Sequence, residues 1–318
     1  MTNPSPPLPQ NGRVLAVAGP TAVGKTEVAL LLAEKLNGEI ISVDSMQVYR
    51  GLDLGTAKPA RQDRARVRHH LIDVVDLSTA FNAAQFLGLA NQAVEVIRGR
   101  GQLPILCGGT GLYFKAFFEG LGEAPAGEPE LRAKLEATPI AELLRELAER
   151  DPVTYERIDR SNPRRIVRAL EVIRTTDKPY SLQRSVWSRP PEGLPEPTFF
   201  GLLRSPADLR QRIDARVDAM FKAGLVSETE ALLKSGLAGN RTALQALGYH
   251  QVVEYLQGAR SLPETIDLVK IRTRQFAKRQ MTWFRRQLPV QWLHITPEQS
   301  ADQIADAVRS QFMSSRSI

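Results

Sequence analysis

The sequence predicts an α/β fold in which a parallel sheet is covered by helices on both faces and carries a mostly helical insertion. Three observations support this prediction. Short apolar runs alternate with helical patterns over the first third of the 318-residue chain, as expected of parallel strands joined by crossover helices. A glycine-rich segment at 19–26, GPTAVGKT, separates the first strand pattern from the first helix pattern. Two strand-like runs, at 198–203 and 290–295, follow a long helical stretch, so we expect the chain to return to the sheet twice.

The predicted strands of the first third are short and apolar. The first covers Val14 to Val17, and the helix pattern after the glycine-rich segment is closed by the dipeptide Asn37-Gly38. Runs at 39–44, 69–76 and 103–109 predict further strands, and AAQFLGLANQAVEVIRG predicts a helix before the last of them.

The middle of the chain is expected to be helical. Residues 123–129 (EAPAGEP) predict a linker, and IAELLRELAER places apolar residues at helical spacing. Asn162 and Pro163 predict the N-cap and the first residue of another helix. After a Pro-rich break at 190–197, strands and helices alternate again up to a final amphipathic helix. We therefore predict a disordered tail at 1–12, an α/β core formed by 13–122, 196–222 and 287–314, and a helical insertion formed by 123–195 and 223–286.

The composition is that of a folded protein with a basic surface. Apolar residues make up 42% and charged residues 24% of the chain, which is ordinary for a protein with a sizeable core. The formal charge of +7 favours a polyanionic partner, although a solvated basic surface gives the same value. Cys107 is the single cysteine, so an internal disulfide and a cysteine-ligated zinc site are excluded. Since no apolar signal core or membrane-spanning run is found, we expect a cytoplasmic protein without a membrane partner.

The glycine-rich segment fits the phosphate-binding pattern G-x-x-x-x-G-K-[ST], with Gly19, Gly24, Lys25 and Thr26 at the defining positions. In such a loop the backbone N–H groups and the N-terminus of the following helix point at an anion. The strand before the loop and the helix after it supply the required context, so we predict a P-loop NTPase-like core. The motif identifies a phosphate group but not the compound that carries it.

Two polar segments follow predicted strands. Asp44 comes directly after the apolar run 40–43, and ligands of doubly wound sheets lie outside the carboxyl ends of the strands. Its carboxylate could position or deprotonate an acceptor, but a capping role in a turn or helix fits Asp-Ser equally well. In CGGTG, at 107–111, the glycines allow a close backbone approach and Thr110 offers a hydroxyl, and a plain structural turn is equally consistent.

A basic segment near the end of the chain is a candidate for nucleic-acid binding. Residues 269–286 contain seven Lys or Arg residues and no acidic residue, and Ser261 with Glu264 predicts a capping box at the start of this helix. Cations interleaved with aromatic side chains suit phosphate contacts and base stacking. The alternative is a solvated basic face. We expect the aromatic side chains to be buried and the cations exposed.

Six segments together resemble the signature blocks of the tRNA dimethylallyltransferase family. They run in order from residue 19 to about residue 286, so the resemblance covers nearly all of the predicted folded chain. The most diagnostic is DSMQVYRGLDLGTAKP, which begins at Asp44, and the others are GPTAVGKT, HHLIDVVD, GGTGLY, NPRRIVRALEV and KRQMTWFRR.

This resemblance implies a reaction and a donor site. The family transfers the dimethylallyl group of dimethylallyl diphosphate to N6 of the adenosine just 3′ of the tRNA anticodon. Lys25 is implied to pair with the donor phosphates and Thr26 to hold Mg²⁺. The implied donor-binding residues are Gly19, Pro20, Thr21, Ala22, Val23, Gly24, Lys25 and Thr26. The implied catalytic residues are Asp44, Thr21, Lys25, Arg212 and Arg216, where one or both of the last two reach the diphosphate.

The resemblance also implies that the protein binds the anticodon stem-loop of tRNA, largely through the helical insertion, and we expect a monomer. Asp44, Ser45, Met46 and Gln47 are implied to meet the target adenosine. The implied tRNA contacts are Asp44, Ser45, Met46, Gln47, Thr110, Arg132, Arg164, Arg165, Ile166, Val167, Arg168, Gln245, Ala246, Leu247, Gly248, Tyr249, His250, Lys278 and Arg279. His250 stands where the family has a lysine or arginine after Gly-Tyr, which is a departure from the pattern.

Three other functions are compatible with the residues taken alone. A small-molecule P-loop kinase would also place a carboxylate after the second strand, but it would not need the basic helical segments. A prenyltransferase acting on free adenine nucleotides would not need the arginine-rich segments, which favour a larger acceptor. A non-catalytic RNA-binding ATPase would not need Asp44 beside the loop.

Overall fold

The computed structural model describes residues 13–121, 125, 127–183 and 198–314. The predicted tail at 1–12, the Pro-rich break at 190–197 and part of the linker predicted at 123–129 lie outside these residues. The chain divides into two compact units, one formed by Met1–Phe118 with Gly193–Ile318 and the other by Glu119–Glu192. Within the described ranges, no helix combines the length and the apolar composition that crossing a membrane requires.

A parallel six-stranded sheet forms the centre of the larger unit. Its strands are β1 Leu15–Ala18, β2 Gly38–Val43, β3 His69–His70, β4 Leu103–Gly108, β5 Thr198–Arg204 and β6 Gln291–Ile295. The order across the sheet is β3-β2-β4-β1-β5-β6, and each neighbouring pair is parallel. The two predicted returns to the sheet are therefore confirmed as β5 and β6. In this order the carboxyl ends of β2, β4 and β1 lie side by side, where ligands of such sheets bind.

The described residues contain fourteen α-helices. In chain order they are α1 Lys25–Leu36, α2 Arg61–Arg66, α3 Ala83–Gly99, α4 Gly111–Glu119, α5 Pro129–Ala137, α6 Ile140–Arg150, α7 Pro152–Arg157, α8 Pro163–Thr176, α9 Tyr180–Gln183, α10 Pro206–Lys222, α11 Leu225–Lys234, α12 Tyr249–Leu256, α13 Leu262–Gln287 and α14 Ala301–Ser314.

The two faces of the sheet are buried in separate apolar clusters. Along β1, Leu15 and Val17 join a cluster with α1 and α14, whereas Ala16 and Ala18 join one with α3 and α4, because successive side chains of a strand point to opposite faces. The second cluster also contains side chains of α11, α12 and α13. Residues 223–286 therefore belong to the unit that contains the sheet, which differs from their predicted grouping with 123–195.

The smaller unit has its own core. Helices α5, α6 and α8 contribute to it the buried residues Leu135, Leu143, Leu147, Ile166 and Leu170. Helix α8 begins as the sequence predicts, since the Asn162 side chain accepts a hydrogen bond from the Arg165 N–H at 3.3 Å and Pro163 is its first residue.

The strand predicted at 69–76 pairs with β2 over only two residues, His69 and His70, and a separate parallel bridge joins Val75 to Tyr49. Leu71 and Asp73 have φ values of 61° and 56°, which are left-handed and incompatible with an extended strand. The ladder therefore ends at His70.

Candidate active site

The loop between β1 and α1 has the geometry of an anion-binding site. Gly24 has a φ of 106°, which glycine adopts without strain, and it begins α1 without a side-chain cap. The first N–H groups of α1 are therefore not occupied by a capping side chain and can meet an anion. Lys25 lies beside them, and its Nζ donates to the Pro20 carbonyl at 3.2 Å. The predicted phosphate-binding loop is formed, with Thr26 in the first turn of the helix.

Two arginines of α10 contact this loop. Arg212 donates from Nε to the Ala22 carbonyl at 2.9 Å, and Arg216 lies 3.4 Å from the Thr21 hydroxyl. The spacing of four residues puts both guanidinium groups on one face of α10, and this face lies against the loop. Arg212 has a backbone acceptor within the loop, whereas Arg216 contacts a side chain that lines a cavity.

A cavity of about 340 Å³ adjoins the loop. Its lining includes Lys25 and Arg216 on the side of the loop and Asp44 at the carboxyl end of β2. A neighbouring cavity of about 740 Å³ shares Lys25, Thr26 and Arg216 with it. The cationic groups of the loop therefore face two adjoining spaces, and the carboxylate of Asp44 faces only the first of them.

The charges around the first cavity act on one another. Burial lowers the pKa of the Lys25 ammonium, and the nearby Arg216 lowers it further, whereas Asp44 has the opposite effect. Burial also lowers the pKa of Arg216, which Asp44 partly offsets. Two cations held close together at a desolvated position are stabilised by a bound anion, so the site is suited to a phosphate ligand.

Asp44 caps a turn and also lines the cavity. Its Oδ1 accepts hydrogen bonds from the N–H groups of Met46 at 2.8 Å and Gln47 at 3.2 Å, so it caps the turn after β2. Across the part of the chain that the structure describes, no donor is found for Oδ2. One carboxylate oxygen thus caps the turn while the other can accept a hydrogen bond from a ligand.

Ser45, Met46 and Gln47 also line the cavity. The amide of Gln47 is already engaged, because Oε1 accepts from the Ser42 hydroxyl at 2.9 Å and Nε2 donates to the Thr56 carbonyl at 3.2 Å. Gln47 therefore connects the end of β2 to the segment that contains Thr56.

The turn after β4 is connected to both of its neighbours. The Thr110 hydroxyl accepts the Ser45 N–H at 3.1 Å. Gln280 of α13 donates from Nε2 to the Gly109 carbonyl and accepts the Thr21 N–H at Oε1, both at 2.9 Å. A Cβ at Gly109 would overlap the Gln280 amide, so the close approach predicted for these glycines occurs. Gln280 thereby links the phosphate-binding loop to the basic helix.

Residues 245–247 of the predicted tRNA-contact segment 245–250 line the cavity, namely Gln245, Ala246 and Leu247. Gly248 begins α12 with a φ of 92°, and His250 is exposed. Tyr249 is fully buried, so the predicted contact of its side chain with tRNA is wrong. Its hydroxyl instead donates to Glu228 at 2.6 Å and accepts the Gly55 N–H at 3.0 Å. Burial, reinforced by Glu228, raises the pKa of this hydroxyl, which keeps it protonated.

Helix α13 exposes five of its seven cations and fully buries one of its three aromatic side chains. Lys278 and Arg279 are exposed and Phe284 is fully buried. Phe276 departs from the expectation, because it is partly exposed and lines the cavity together with Arg279. The Arg279 guanidinium lies 5.9 Å from the centre of the Phe276 ring.

In the smaller unit, the predicted tRNA-contact segment 164–168 contains both exposed and buried residues. Arg164 and Arg165 are exposed, whereas Ile166 and Val167 lie in the core of the unit, so the predicted tRNA contacts of these two apolar side chains are wrong. The reason is that α8 is amphipathic and turns its apolar face inward. Arg132 of α5 and Arg168 are at least partly exposed.

The protein groups near the loop fit a metal ion that is carried by a phosphate ligand. Among the described residues, no group of three or more His, Cys, Asp or Glu side chains could hold a metal ion. Mg²⁺ is often bound by one or two protein oxygens together with substrate phosphates and waters. The Thr26 hydroxyl, beside Lys25 at the start of α1, is such a protein oxygen.

Three residues of the site were not singled out from the sequence. Gln280 lies within the block KRQMTWFRR, and Arg204 stands at the end of a predicted strand, where ligands of such sheets bind. Arg204 is buried, and its Nε donates to the Val23 carbonyl at 2.8 Å. Glu228, which accepts from Tyr249 and from the Leu54 N–H at 3.0 Å, had no sequence signal.

Known proteins are similar to this chain over most of its length. The family model for IPP transferase matches residues 47–287. The tRNA dimethylallyltransferase 1 of Trichlorobacter lovleyi is 46% identical over 91% of this chain and 95% of its own length. The tRNA dimethylallyltransferase of Halorhodospira halophila is 48% identical over 86% and 90% of the two chains.

Solved structures show the same similarity in three dimensions. The tRNA isopentenylpyrophosphate transferase of Bacillus halodurans is 37% identical with a TM-score of 0.69, covering 95% of this chain and 97% of that chain. A eukaryotic dimethylallyltransferase acting on tRNA is 28% identical with a TM-score of 0.80, covering 96% and 80%. Because sequence and fold agree over most of its length, this chain belongs to the IPP transferase family, whose members here are tRNA dimethylallyltransferases.

Proposed function

We propose that this protein is a cytoplasmic, monomeric enzyme that transfers the dimethylallyl group of dimethylallyl diphosphate to N6 of the adenosine just 3′ of a tRNA anticodon. One observation carries the proposal. Lys25 and Arg216 line the same cavity as Asp44, so groups that hold a diphosphate face the space reached by a group that accepts a proton. The relatives named above support tRNA as the acceptor.

The donor half of the reaction breaks an allylic C–O bond and leaves negative charge on the diphosphate. The free N–H groups at the start of α1, together with Lys25 and Arg216, stabilise that charge as it grows. We assign Arg216 to the diphosphate because it lines both cavities, and Arg212 to the support of the loop because its Nε donates to the Ala22 carbonyl. When bound, Mg²⁺ neutralises part of the diphosphate charge, and Thr26 supplies its protein ligand.

The acceptor half of the reaction requires a base. The lone pair of the adenine amino group is delocalised into the ring, so the nitrogen becomes acidic only as the new C–N bond forms. Oδ2 of Asp44 accepts a hydrogen bond from this amino group and then its proton, while Oδ1 continues to cap the turn. The adenine must leave its stack to enter the cavity, as in other enzymes that modify a base.

The rest of the RNA is held by cationic side chains on the surface of both units. In this proposal Lys278 and Arg279 of α13 contact phosphates, and so do the arginines at 132, 164, 165 and 168 in the smaller unit. Such contacts provide most of the affinity and its salt dependence, whereas the groups that line the cavity select the base.

The proposal is tested by incubating the protein with dimethylallyl diphosphate labelled in the allyl group and with unmodified tRNA. Digestion to nucleosides should place the label on adenosine, and Lys25→Ala should lose most of the transfer because the diphosphate loses its principal side-chain cation. One parallel incubation contains AMP in place of tRNA, and another contains ATP in place of dimethylallyl diphosphate. Labelled AMP would indicate an adenine-nucleotide prenyltransferase, and rapid ATP hydrolysis without transfer would indicate a kinase or an RNA-binding ATPase; either result contradicts the proposal.

A further inference from the structure

A buried carboxylate joins two of the proposed tRNA contacts in the smaller unit. Glu171 of α8 is 1% exposed, and its Oε2 accepts from both Arg132 and Arg168 at 2.7 Å. Arg132 comes from α5 and Arg168 from the preceding turn of α8, so one oxygen atom holds two guanidinium groups from different helices.

The carboxylate is covered, whereas the two arginines reach the surface. A Cβ at Gly127 would overlap the carboxylate of Glu171, so the chain passes directly over it. Arg168 also donates to the Pro125 carbonyl at 2.7 Å. The side chains of Arg132 and Arg168 are nevertheless 47% and 32% exposed. RNA can therefore contact both arginines but not the carboxylate between them.

We propose that Glu171 is a positioning residue that fixes Arg132 and Arg168 as a preorganised pair for tRNA phosphates. This inference rests on the proposed function, in which the two arginines contact tRNA. Without a carboxylate between them two adjacent guanidinium groups repel each other, and each would have to lose conformational freedom on binding RNA. Ordered by Glu171, the planar groups are already aligned, and the trio still carries one net positive charge.

The direction in which one substitution changes tRNA affinity distinguishes positioning from simple electrostatics. Glu171→Gln removes a negative charge from an RNA-binding surface, so long-range attraction alone predicts tighter tRNA binding. Positioning predicts weaker binding by about three- to tenfold, the value of keeping one or two flexible side chains ordered. The KM for dimethylallyl diphosphate and the rate at saturating tRNA should not change, because Glu171 belongs to neither cavity lining.

Glu146 provides a matched control in the same unit. It also holds two arginines, bonding Arg174 at 2.9 Å and lying 3.7 Å from Arg150, and neither arginine is a proposed tRNA contact. Glu146→Gln makes the same change of charge and should leave tRNA affinity within about twofold of the wild type, since it disturbs no phosphate contact.

The experiment measures tRNA dissociation constants for five proteins. These are the wild type, the single variants Glu171→Gln and Glu146→Gln, the double variant Arg132→Met/Arg168→Met, and the triple variant that adds Glu171→Gln to this double variant. The inference is supported if Glu171→Gln weakens tRNA binding and Glu146→Gln does not, and if adding Glu171→Gln to the double-methionine variant weakens its tRNA binding no further. Unchanged or tighter binding by Glu171→Gln overturns it. Further weakening in the double-methionine background also overturns it, because Glu171 would then act through the fold. Wild-type affinity of the double-methionine variant would instead contradict the proposed arginine contacts.

Discussion

At the scale of single residues, Gln280 makes the clearest prediction. It satisfies the Thr21 N–H and the Gly109 carbonyl at once, and it is 8% exposed. Gln280→Met keeps the length of the side chain but leaves both backbone groups unpaired, at a cost of about 1–3 kcal/mol for each group that stays buried. Part of this cost is relieved by movement of the loop, so we expect the KM for dimethylallyl diphosphate to rise by about tenfold.

Gln287→Met is the control for that substitution. Gln287 ends the same helix and accepts from Lys115 at 3.1 Å on the surface, so steady-state kinetics should show an unchanged donor KM. An unchanged donor KM in Gln280→Met as well would mean that the loop does not depend on this amide.

The lowered pKa of Lys25 predicts how donor affinity varies with pH. A bound diphosphate favours the charged ammonium, so affinity is fully present while Lys25 is protonated and is lost as the pH rises through its pKa in the free enzyme. Because burial lowers that pKa, the loss should begin below the pH expected of an ordinary lysine. Burial raises the pKa of the neighbouring Cys107 to about 11, so its ionisation does not account for the loss. Titrations with the donor at about pH 7 to 10, a range that lies below the pKa of an unperturbed lysine, measure this loss of affinity. Constant affinity over that range contradicts the assignment of Lys25 to the diphosphate.

At the scale of elements, the exposed cations of α13 predict a salt effect. Replacing Lys278 and Arg279 by alanine should weaken tRNA binding and reduce the log–log salt slope by about one to two, because each phosphate contact releases about one counterion. Replacing Lys234 and Arg309, which are exposed on α11 and α14, is the control with equal loss of charge. If both double variants keep the wild-type slope, α13 carries only a solvated face.

The start of α7 predicts a loss of stability in acid. Asp151 is 1% exposed and accepts from the N–H and hydroxyl groups of Thr154 at 3.0 and 2.6 Å and of Ser181 at 2.7 and 2.8 Å. Burial alone would raise its pKa, but these hydrogen bonds outweigh burial and lower it. The resulting stability is present above the unfolded pKa of about 3.9 and is lost as the pH falls through the folded pKa.

Hydrogen exchange of peptides from α6 to α9, measured between about pH 3 and 7 to bracket the unfolded carboxyl pKa, tests this effect. Protection of these amides from exchange should decrease as the pH is lowered in the wild type, and it should depend less on pH in Asp151→Asn. Asp159→Asn, which changes an exposed carboxylate that accepts hydrogen bonds from Ser161 alone among the described residues, should behave as the wild type does. Equal pH dependence in all three proteins would contradict the role of Asp151.

Local signals predicted most elements well. The capping box of Ser261 and Glu264 is present, with the Ser261 N–H donating to Glu264 at 2.8 Å. Apolar runs predicted the central strands because both faces of the sheet are buried. The run at 69–76 was misleading, because composition does not reveal the left-handed backbone of Leu71 and Asp73. Ile166, Val167 and Tyr249 were assigned to tRNA with the rest of their motifs, although helical periodicity would have separated buried from exposed positions within α8.

At the scale of the whole molecule, the site depends on contacts that no local pattern contains. The bond from Thr21 to Gln280 spans 259 residues, and that from Ser45 to Thr110 spans 65. The sequence predicted that the phosphate-binding loop and Asp44 share the carboxyl edge of one sheet, which follows from strand order. Which side chain of α13 or α10 would reach that edge depends on how these helices pack, and packing is decided only by the complete fold.

The central claim is a division of labour around one cavity, in which the loop holds the diphosphate and Asp44 takes the proton from the adenine amino group. Asp44→Asn tests it most directly, because an asparagine oxygen can still cap the turn but cannot accept a proton at neutral pH. In single-turnover transfer with saturating tRNA the rate should fall by about a hundredfold to ten-thousandfold. Affinity for dimethylallyl diphosphate should stay within a few-fold of the wild type, because no group of the loop changes. A near wild-type rate would make Asp44 only a cap, and a loss of donor binding would place it in the phosphate site; either result contradicts the account.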